Sequence, residues 1–123
     1  MNITIVSGRL CADPEIRYTN SNKAVANFTV AVDDGKDKEG NRRTQFVPCV
    51  AWDKAGENIG KFFTKGTPIT LQGHLSCRTW EKDGTKHYAW EVFVDRWEFV
   101  PGAARKSSAD AFADIESDEE FPF

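Results

Sequence analysis

The sequence predicts an all-β domain, a small barrel of five strands with one short helix between the third and fourth strands. Three observations support this prediction. Most of the chain before residue 100 alternates apolar and polar residues with a period of two, which is typical of strands. One segment has the apolar spacing of a helix, and Asp83-Gly84 between two period-two segments is typical of a hairpin turn.

The first two strands lie in the first third of the chain. Residues 2–11, NITIVSGRLC, alternate with period two and form the first predicted strand. Asp13-Pro14 predicts a turn, and the following EIRYT a short extended piece. Residues 24–33, AVANFTVAVD, form the second strand. The polar residues 34–43 contain Gly35 and Gly40-Asn41 and predict a mobile loop.

The third strand leads directly into the helix. Residues 44–52 form this strand, in which Pro48 indicates an edge or a bulge because proline cannot donate a ladder hydrogen bond. Asp53 is the predicted N-cap, and Gly66 followed by Pro68 ends the helix. The apolar face of the helix is predicted to consist of Ala55, Ile59, Phe62 and Phe63.

The last two strands complete the barrel. Residues 68–80 and 87–100 are the fourth and fifth strands, on either side of the Asp83-Gly84 turn. Five strands with a helix between the third and fourth follow the order of an OB-fold, a Greek-key barrel. We expect residues 1–100 to be this domain. Residues 101–117 are small, polar and without period, which predicts a disordered linker that ends in an acidic tip at 118–123.

Charge divides the chain into two unlike parts. Its 123 residues carry a net charge of −3. Residues 1–106 hold all 16 Lys and Arg against 13 Asp and Glu, a charge of +3, whereas residues 107–123 hold six acids and no base. This asymmetry indicates a body that meets a polyanion and a tail that does not. No apolar run is long enough to span a membrane, and the first residues lack a basic leader.

The sequence offers no arrangement for enzymatic chemistry, a metal or a cofactor. Residues 56–63, GENIGKFF, are too short between their glycines for a phosphate-binding loop. His74 and Cys77 have metal-ligand spacing, but residues three apart on a strand point to opposite faces. The three cysteines, odd in number and far apart, are typical of reduced thiols in a cytoplasm. We therefore expect a binding protein.

Aromatic and basic residues alternate along the predicted strands. A protein that binds single-stranded DNA needs exposed rings for the bases and cations for the phosphates. Phe46 and Trp52 share one face of the third strand, and Trp80 lies at the hairpin mouth, where we expect it to be exposed. The candidate basic residues are Arg9, Arg17, Lys54, Lys65, Arg78, Lys82 and Lys86.

The other aromatic residues divide between the core and unassigned positions. Spacing alone leaves both core and surface open for Phe46 and Trp52. Tyr88 and Trp90 share one face of the fifth strand, and the same alternation places Trp97 and Phe99 on its other side. Neither Trp90 nor Trp97 is assigned a role. The residues expected in the core are Phe28, Phe62, Phe63 and Phe93.

Several segments taken together resemble the bacterial-type single-stranded-DNA-binding proteins, over nearly the whole chain. The most specific are the G-R-L, D-P-E-x-R-Y and A-V-A-N-F elements and the acidic-Phe-Pro-Phe end. The matching segments are GRLCADPEIRYTNSNKAVANFTVAV (8–32), QFVPCVAWDKAGENIGKFFTKGTPITLQGHL (45–75), RTWEKDGTKHYAWEV (78–92) and DEEFPF (118–123).

The resemblance implies a function for the domain. It implies an OB-fold that assembles as a homotetramer and binds single-stranded DNA without sequence preference in replication, recombination and repair, in the cytoplasm and associated with the nucleoid. It implies base stacking at Phe46, Trp52 and Trp80. The basic contacts that it implies are Arg9, Arg17, Lys54, Lys65 and Arg78.

The resemblance also implies a role for the C-terminal tip, which would dock on replication, repair and recombination proteins. Two rings would enter apolar pockets, the proline between them would lower the ordering cost, and basic residues of the partner would hold the acids. The residues concerned are Asp118, Glu119, Glu120, Phe121, Pro122 and Phe123. A tail docked on its own domain is the alternative. For the domain, the alternative is an OB module that binds protein or oligosaccharide.

Overall fold

The period-two segments form a closed barrel in a computed structural model, which describes residues 1–101. In chain order the elements are β1 (Thr4–Leu10), β2 (Glu15–Tyr18), β3 (Ala24–Lys36), β4 (Arg42–Trp52), α1 (Asp53–Phe62), β5 (Pro68–Lys82) and β6 (Thr85–Phe99). The barrel order is β1-β5-β6-β4-β3, and pairing of β1 with β3 closes it. The short β2 pairs with β3 outside this ring. The OB-fold prediction is confirmed, whereas residues 102–123, which include the predicted tip and most of the linker, lie outside the described residues.

Half of the predicted loop at 34–43 is strand, so the prediction was wrong about the length of the loop. β3 continues to Lys36 and β4 begins at Arg42, which leaves a five-residue turn. The Asp37 carboxylate closes this turn by accepting hydrogen bonds from the backbone N–H groups of Glu39 at 2.9 Å and Asn41 at 2.8 Å. A side chain that satisfies the turn's own donors lets both strands extend to it.

Pro48 lies where β4 has a partner strand on one side only, in agreement with the predicted edge. It pairs with Thr29 of β3, and the parallel pairing of β4 with β6 begins one residue later, at Cys49 opposite Val92. The carbonyl of Thr29 accepts from Cys11 of the chain beyond β1, so Thr29 directs its polar backbone groups away from β4. The missing N–H of Pro48 therefore faces away from β3 and removes no hydrogen bond from that ladder.

The barrel interior is filled by aliphatic residues and a few rings. Alternate positions of the strands point inward, and the helix closes the barrel with Ile59 and Phe63, both fully buried. Phe63 stacks on Phe99 at 5.2 Å and meets Trp97 edge-on at 5.3 Å. The buried residues of the main cluster are Val6, Leu10, Ala26, Phe28, Val30, Cys49, Ala51, Ile59, Phe63, Ile69, Leu71, Val92 and Val94.

A bulge in β6 decides where Trp97 and Phe99 lie. Gln72 of β5 pairs with Arg96, but the next residue, Gly73, pairs with Val94, so β6 has one extra residue at Asp95. This extra residue reverses the alternation. Trp97 and Phe99 consequently pack against the core on the same side as Val94, and the prediction from simple alternation was wrong.

The helix packs on its predicted apolar face, but its start differs from the prediction. Trp52 is the N-cap residue and makes no side-chain capping bond, while Asp53 begins the helix with a positive φ of 56°. Gly56 lies against β4, where an added Cβ would be 2.6 Å from the Ala51 carbonyl oxygen. The same addition at Gly60 would meet the Ile16 side chain. Close packing against the backbone therefore requires Gly56, at the expense of helix propensity, whereas a side chain at position 60 would displace the end of Ile16.

The thiol of Cys49 is buried in the core, and this position changes its acidity. Burial, with a smaller contribution from the charge of Glu91, raises the pKa of Cys49 to about 12 from an ordinary 9.0. Above pH 9 the unfolded thiol ionises while the folded thiol stays protonated. The folded state then binds more protons than the unfolded state, so its stability falls with rising pH.

We expect the free energy of unfolding to fall between pH 9 and 12. The slope should approach about 1.4 kcal/mol per pH unit, the value for a difference of one bound proton between the folded and unfolded states. Urea unfolding at several pH values, for the wild type and for Cys49→Ala, measures this slope. The alanine variant lacks the thiol and should show a shallower dependence because other groups alone titrate there. Equal slopes in the two proteins would contradict the assignment.

Candidate nucleic-acid interface

Two of the predicted site rings point outward from β4. Phe46 and Trp52 alternate with the inward-facing Cys49 and Ala51, which belong to the core. Phe46 is 65% exposed and Trp52 is half-buried. The question that spacing left open is answered for both rings, since neither lies in the barrel interior.

Phe46 shares a cross-strand row with a predicted basic residue. Arg9 of β1 pairs with Ala31 of β3, and Ala31 pairs with Phe46. Directly paired residues place their side chains on one face of the sheet, and two strand spacings are roughly 10 Å. Arg9 also donates from Nη1 to the Gly66 carbonyl at 3.1 Å. This bond holds one edge of the guanidinium at the loop that follows the helix.

Trp52 shares a second, similar row with Arg17. Arg17 of β2 pairs with Val25 of β3, and Val25 pairs with Trp52. The cation and the ring again lie on one face with a short side chain between them. The short side chains of β3 thus form a floor between the two basic residues, Arg9 and Arg17, and the two rings of β4.

Phe93 extends the outer rings across the sheet, so its prediction as a core residue was wrong. Its neighbours Val92 and Val94 fill the barrel, which turns Phe93 outward. The Phe93 ring stacks on Trp52, with centroids 6.5 Å apart, and on His74 at 5.0 Å. Alternation with the two valines is the sequence signal that could have identified it.

The β5–β6 hairpin carries Trp80 above the barrel. Its turn residues Asp83 and Gly84 both have positive φ, 53° and 76°, as a two-residue type I′ turn requires. Trp80 is 40% exposed, which confirms the prediction that it reaches solvent. Its ring stacks on His87 at 5.6 Å, and the Arg78 guanidinium carbon lies 5.1 Å from the ring centroid.

The opposite face of the same hairpin has its own apolar surface. Tyr88 is 67% exposed and Trp90 56%, so Trp90, which had no assigned position, lies at the surface. Cys77 pairs with Trp90 and is also exposed. His74 and Cys77 lie on opposite faces of β5, as their spacing predicts, since His74 stacks on the outer ring of Phe93.

Three of the four predicted lysines lie around the surface that carries Phe46, Trp52 and Trp80, and the fourth lies on the other face of the hairpin. Lys54 is exposed near the start of the helix, and Lys65 is exposed in the following loop, where its backbone N–H donates to the Asp13 carboxylate at 2.8 Å. Lys82 lies on the Trp80 face of the hairpin. Lys86 pairs with Glu81 and lies on the opposite face, toward Tyr88.

A groove of about 310 Å³ separates the floor of β3 from the hairpin. The Arg78 Nε lies 3.2 Å from Glu91 Oε1 in this groove. Among the residues that line the groove are Asn27, Thr29, Pro48, Arg78 and Glu91.

The barrel and its ring-bearing face define an OB-type binding protein. The chain belongs to the single-strand binding protein family, whose sequence profile matches residues 1–100. This family is one of binding proteins, which agrees with the expectation that the chain is no enzyme.

Curated relatives support the same family. A single-stranded DNA-binding protein of Clostridium tetani is 36% identical over 121 residues, which cover 96% of this chain and 83% of the relative. One of Fusobacterium nucleatum is 32% identical over the full length of both chains. A single-stranded DNA-binding protein of Lactiplantibacillus plantarum is 40% identical over 106 residues, and here the match covers 53% of the relative. Within residues 1–101, no helix is long and apolar enough to cross a membrane.

Proposed function

We propose that this protein binds single-stranded DNA without sequence preference on the outer face of its barrel. The two rows that join Arg9 to Phe46 and Arg17 to Trp52 carry this proposal. They supply the two things that a single strand requires, a ring for each stacked base and a cation for the backbone beside it. The family to which the chain belongs and the names of its relatives support single-stranded DNA as the ligand.

The hairpin continues this surface in the proposal. Trp80 stacks a further base, and Arg78, whose guanidinium lies over that ring, contributes its charge. Four exposed lysines, three around this surface and Lys86 on the other face of the hairpin, attract phosphates and carry no sequence information. They are Lys54, Lys65, Lys82 and Lys86.

We propose that the protein assembles as a homotetramer. Ile3 and Ile5 are 58% and 71% exposed at the start of the chain and on β1. Within residues 1–101, β1 pairs with β5 from Thr4 onward but meets β3 at Arg9 and Leu10, so one edge of its first half is open. An open edge beside exposed isoleucines favours pairing with another copy. Sedimentation equilibrium is expected to give the mass of four chains.

The C-terminal residues 118–123 serve, in this proposal, to recruit proteins of replication, repair and recombination. They join two phenylalanines to three acids at one end of the chain. The domain at 1–100 holds the DNA, and the segment at 101–117 connects the two activities. A cytoplasmic, nucleoid-associated location follows from such a ligand.

Thermal unfolding with two candidate ligands tests the proposal against binding of an oligosaccharide. A ligand that binds the folded state raises the melting temperature with its concentration. Oligo-dT is expected to raise it, and a neutral oligosaccharide of similar size is expected to leave it unchanged. A shift with the sugar alone would replace the proposed function with the alternative.

A further inference from the structure

Both histidines of the chain lie on the outer face that carries the site rings, and each stacks on one aromatic ring. His74 of β5 stacks on Phe93 with centroids 5.0 Å apart, and His87 of β6 stacks on Trp80 at 5.6 Å. Imidazole is the side chain whose charge ordinarily changes between about pH 5 and 8. The proposed DNA-binding face therefore holds the side chains of this protein that titrate near neutral pH.

The two histidines differ in their counter-ions. The Nδ1 atom of His74 lies 3.1 Å from Asp95 Oδ2, so a charged imidazole at this position has a carboxylate beside it. Within residues 1–101, His87 has no carboxylate at ion-pair distance. A positive charge on His74 is therefore balanced by the protein, whereas a positive charge on His87 is not.

The surroundings of His87 are basic. The end of the hairpin consists of β5 and β6 alone, because β4 pairs with β6 only within the barrel. Trp80 pairs directly with His87 across the two strands. Arg78 and Lys82 lie two residues before and after Trp80, so both cations share its face.

The acids of the hairpin do not balance these cations at the imidazole. Glu91, on the same face, is paired with Arg78 at 3.2 Å. Glu81 lies opposite Lys86 on the other face, and Asp83 lies in the turn. A proton on the imidazole therefore adds a charge that lacks a counter-ion until one arrives from solution.

We propose that His87 binds a phosphate of the DNA strand whose base stacks on Trp80, and that it takes up a proton as it does so. The inference rests on the proposed function and adds a residue to it. His87 is exposed, and Trp80 keeps 40% of its surface open beside it. A base on that ring brings its own phosphates close to the side chain across the strand pair.

The phosphate supplies the counter-ion that His87 lacks in the free protein. The bound state then holds more protons than the free state, so the affinity for DNA rises as the pH falls. His74 already has Asp95 as its counter-ion, so we expect it to contribute little to this dependence.

The test measures the affinity for oligo-dT between about pH 5.5 and 7.5, where histidine titrates, at constant ionic strength. Neither thymine nor a phosphodiester changes its charge in this range, so any dependence on pH comes from the protein. His87→Gln removes the charge at every pH, and His87→Arg keeps it at every pH. His74→Gln is the matched control. Circular dichroism at each pH confirms that the proteins are folded.

The wild type should bind about threefold or more weakly at the upper end of the range than at the lower end, roughly the effect of one exposed charge pair. His87→Gln should bind weakly and His87→Arg tightly throughout, both with a much smaller dependence on pH. His74→Gln should keep the dependence of the wild type. This pattern would support His87 as the residue that takes up the proton.

Three outcomes would overturn the inference. A single common factor between His87→Gln and the wild type at every pH would assign His87 a packing role against Trp80. Loss of the dependence in His74→Gln alone would assign the proton to the other histidine. Affinity that rises with pH would mean that a charged imidazole competes with the base for the indole. A wild type that bound no oligo-dT at any pH would instead refute the proposed function.

Calorimetry counts the protons directly. The same titration in two buffers of different ionisation enthalpy gives the number of protons that each chain takes up on binding. We expect uptake by the wild type and by His74→Gln near the middle of the pH range, and clearly less by His87→Gln. Equal uptake by the wild type and His87→Gln would contradict the role of His87.

Discussion

Replacing Trp80 with alanine is expected to weaken the binding of oligo-dT by roughly 1–3 kcal/mol, the usual contribution of one stacked base. The indole is the largest ring on the Trp80 face of the hairpin, and its removal also takes away the surface against which the Arg78 guanidinium lies. Fluorescence anisotropy with labelled oligo-dT at a fixed salt concentration measures the loss.

Trp90→Ala is the matched control for this variant. Trp90 has the same side chain on the same hairpin but points from the opposite face, where it is 56% exposed. Its removal should leave the affinity nearly unchanged if DNA follows the Trp80 face. An unchanged affinity in Trp80→Ala would assign Trp80 a structural role. Equal losses in the two variants would show that DNA uses both faces of the hairpin.

Deletion of residues 118–123 is expected to abolish the capture of helicases and nucleases while DNA binding stays intact or tightens slightly. The deletion removes Phe121 and Phe123, the proposed apolar anchors, together with three acids that compete with phosphates for the basic surface. Pull-down with purified partner proteins and an oligo-dT titration of the same sample measure the two effects.

Two further variants separate the anchors from the acids. Phe121→Ala with Phe123→Ala keeps the charge and should lose the partners without changing DNA affinity. Replacing Asp118, Glu119 and Glu120 by their amides keeps the rings and should tighten DNA binding. Partners that remain bound to the deleted protein would contradict the role proposed for the tip.

The sequence was sufficient for the order of strands and helix because alternation and turn chemistry are local properties. It failed where one residue altered the alternation, as the extra residue at Asp95 does for Trp97 and Phe99. It also failed at residues 34–43, where Asp37 closes a tight turn with its own side chain. Local patterns cannot show either effect without knowledge of the partner strand.

The site was predictable as a set of residues but not as an arrangement. The pattern of aromatic and basic residues identified Phe46 and Arg9 as candidates. Their shared cross-strand row, however, depends on the contact of β1 with β3 that closes the barrel. That contact joins segments that are distant in the chain, and its register follows from packing of the whole core. Phe93 was missed because a phenylalanine between two valines is equally compatible with a buried strand.

A tryptophan fluorescence titration with oligo-dT at two salt concentrations tests the central claim most directly. Bases that stack on Trp52 and Trp80 should quench the tryptophan emission until binding saturates. The logarithm of the binding constant should fall with the logarithm of the salt concentration, with a slope of about −0.7 for each phosphate neutralised. This result would support stacking and charge neutralisation on one face. Emission that DNA leaves unchanged, or binding that salt does not weaken, would contradict the claim.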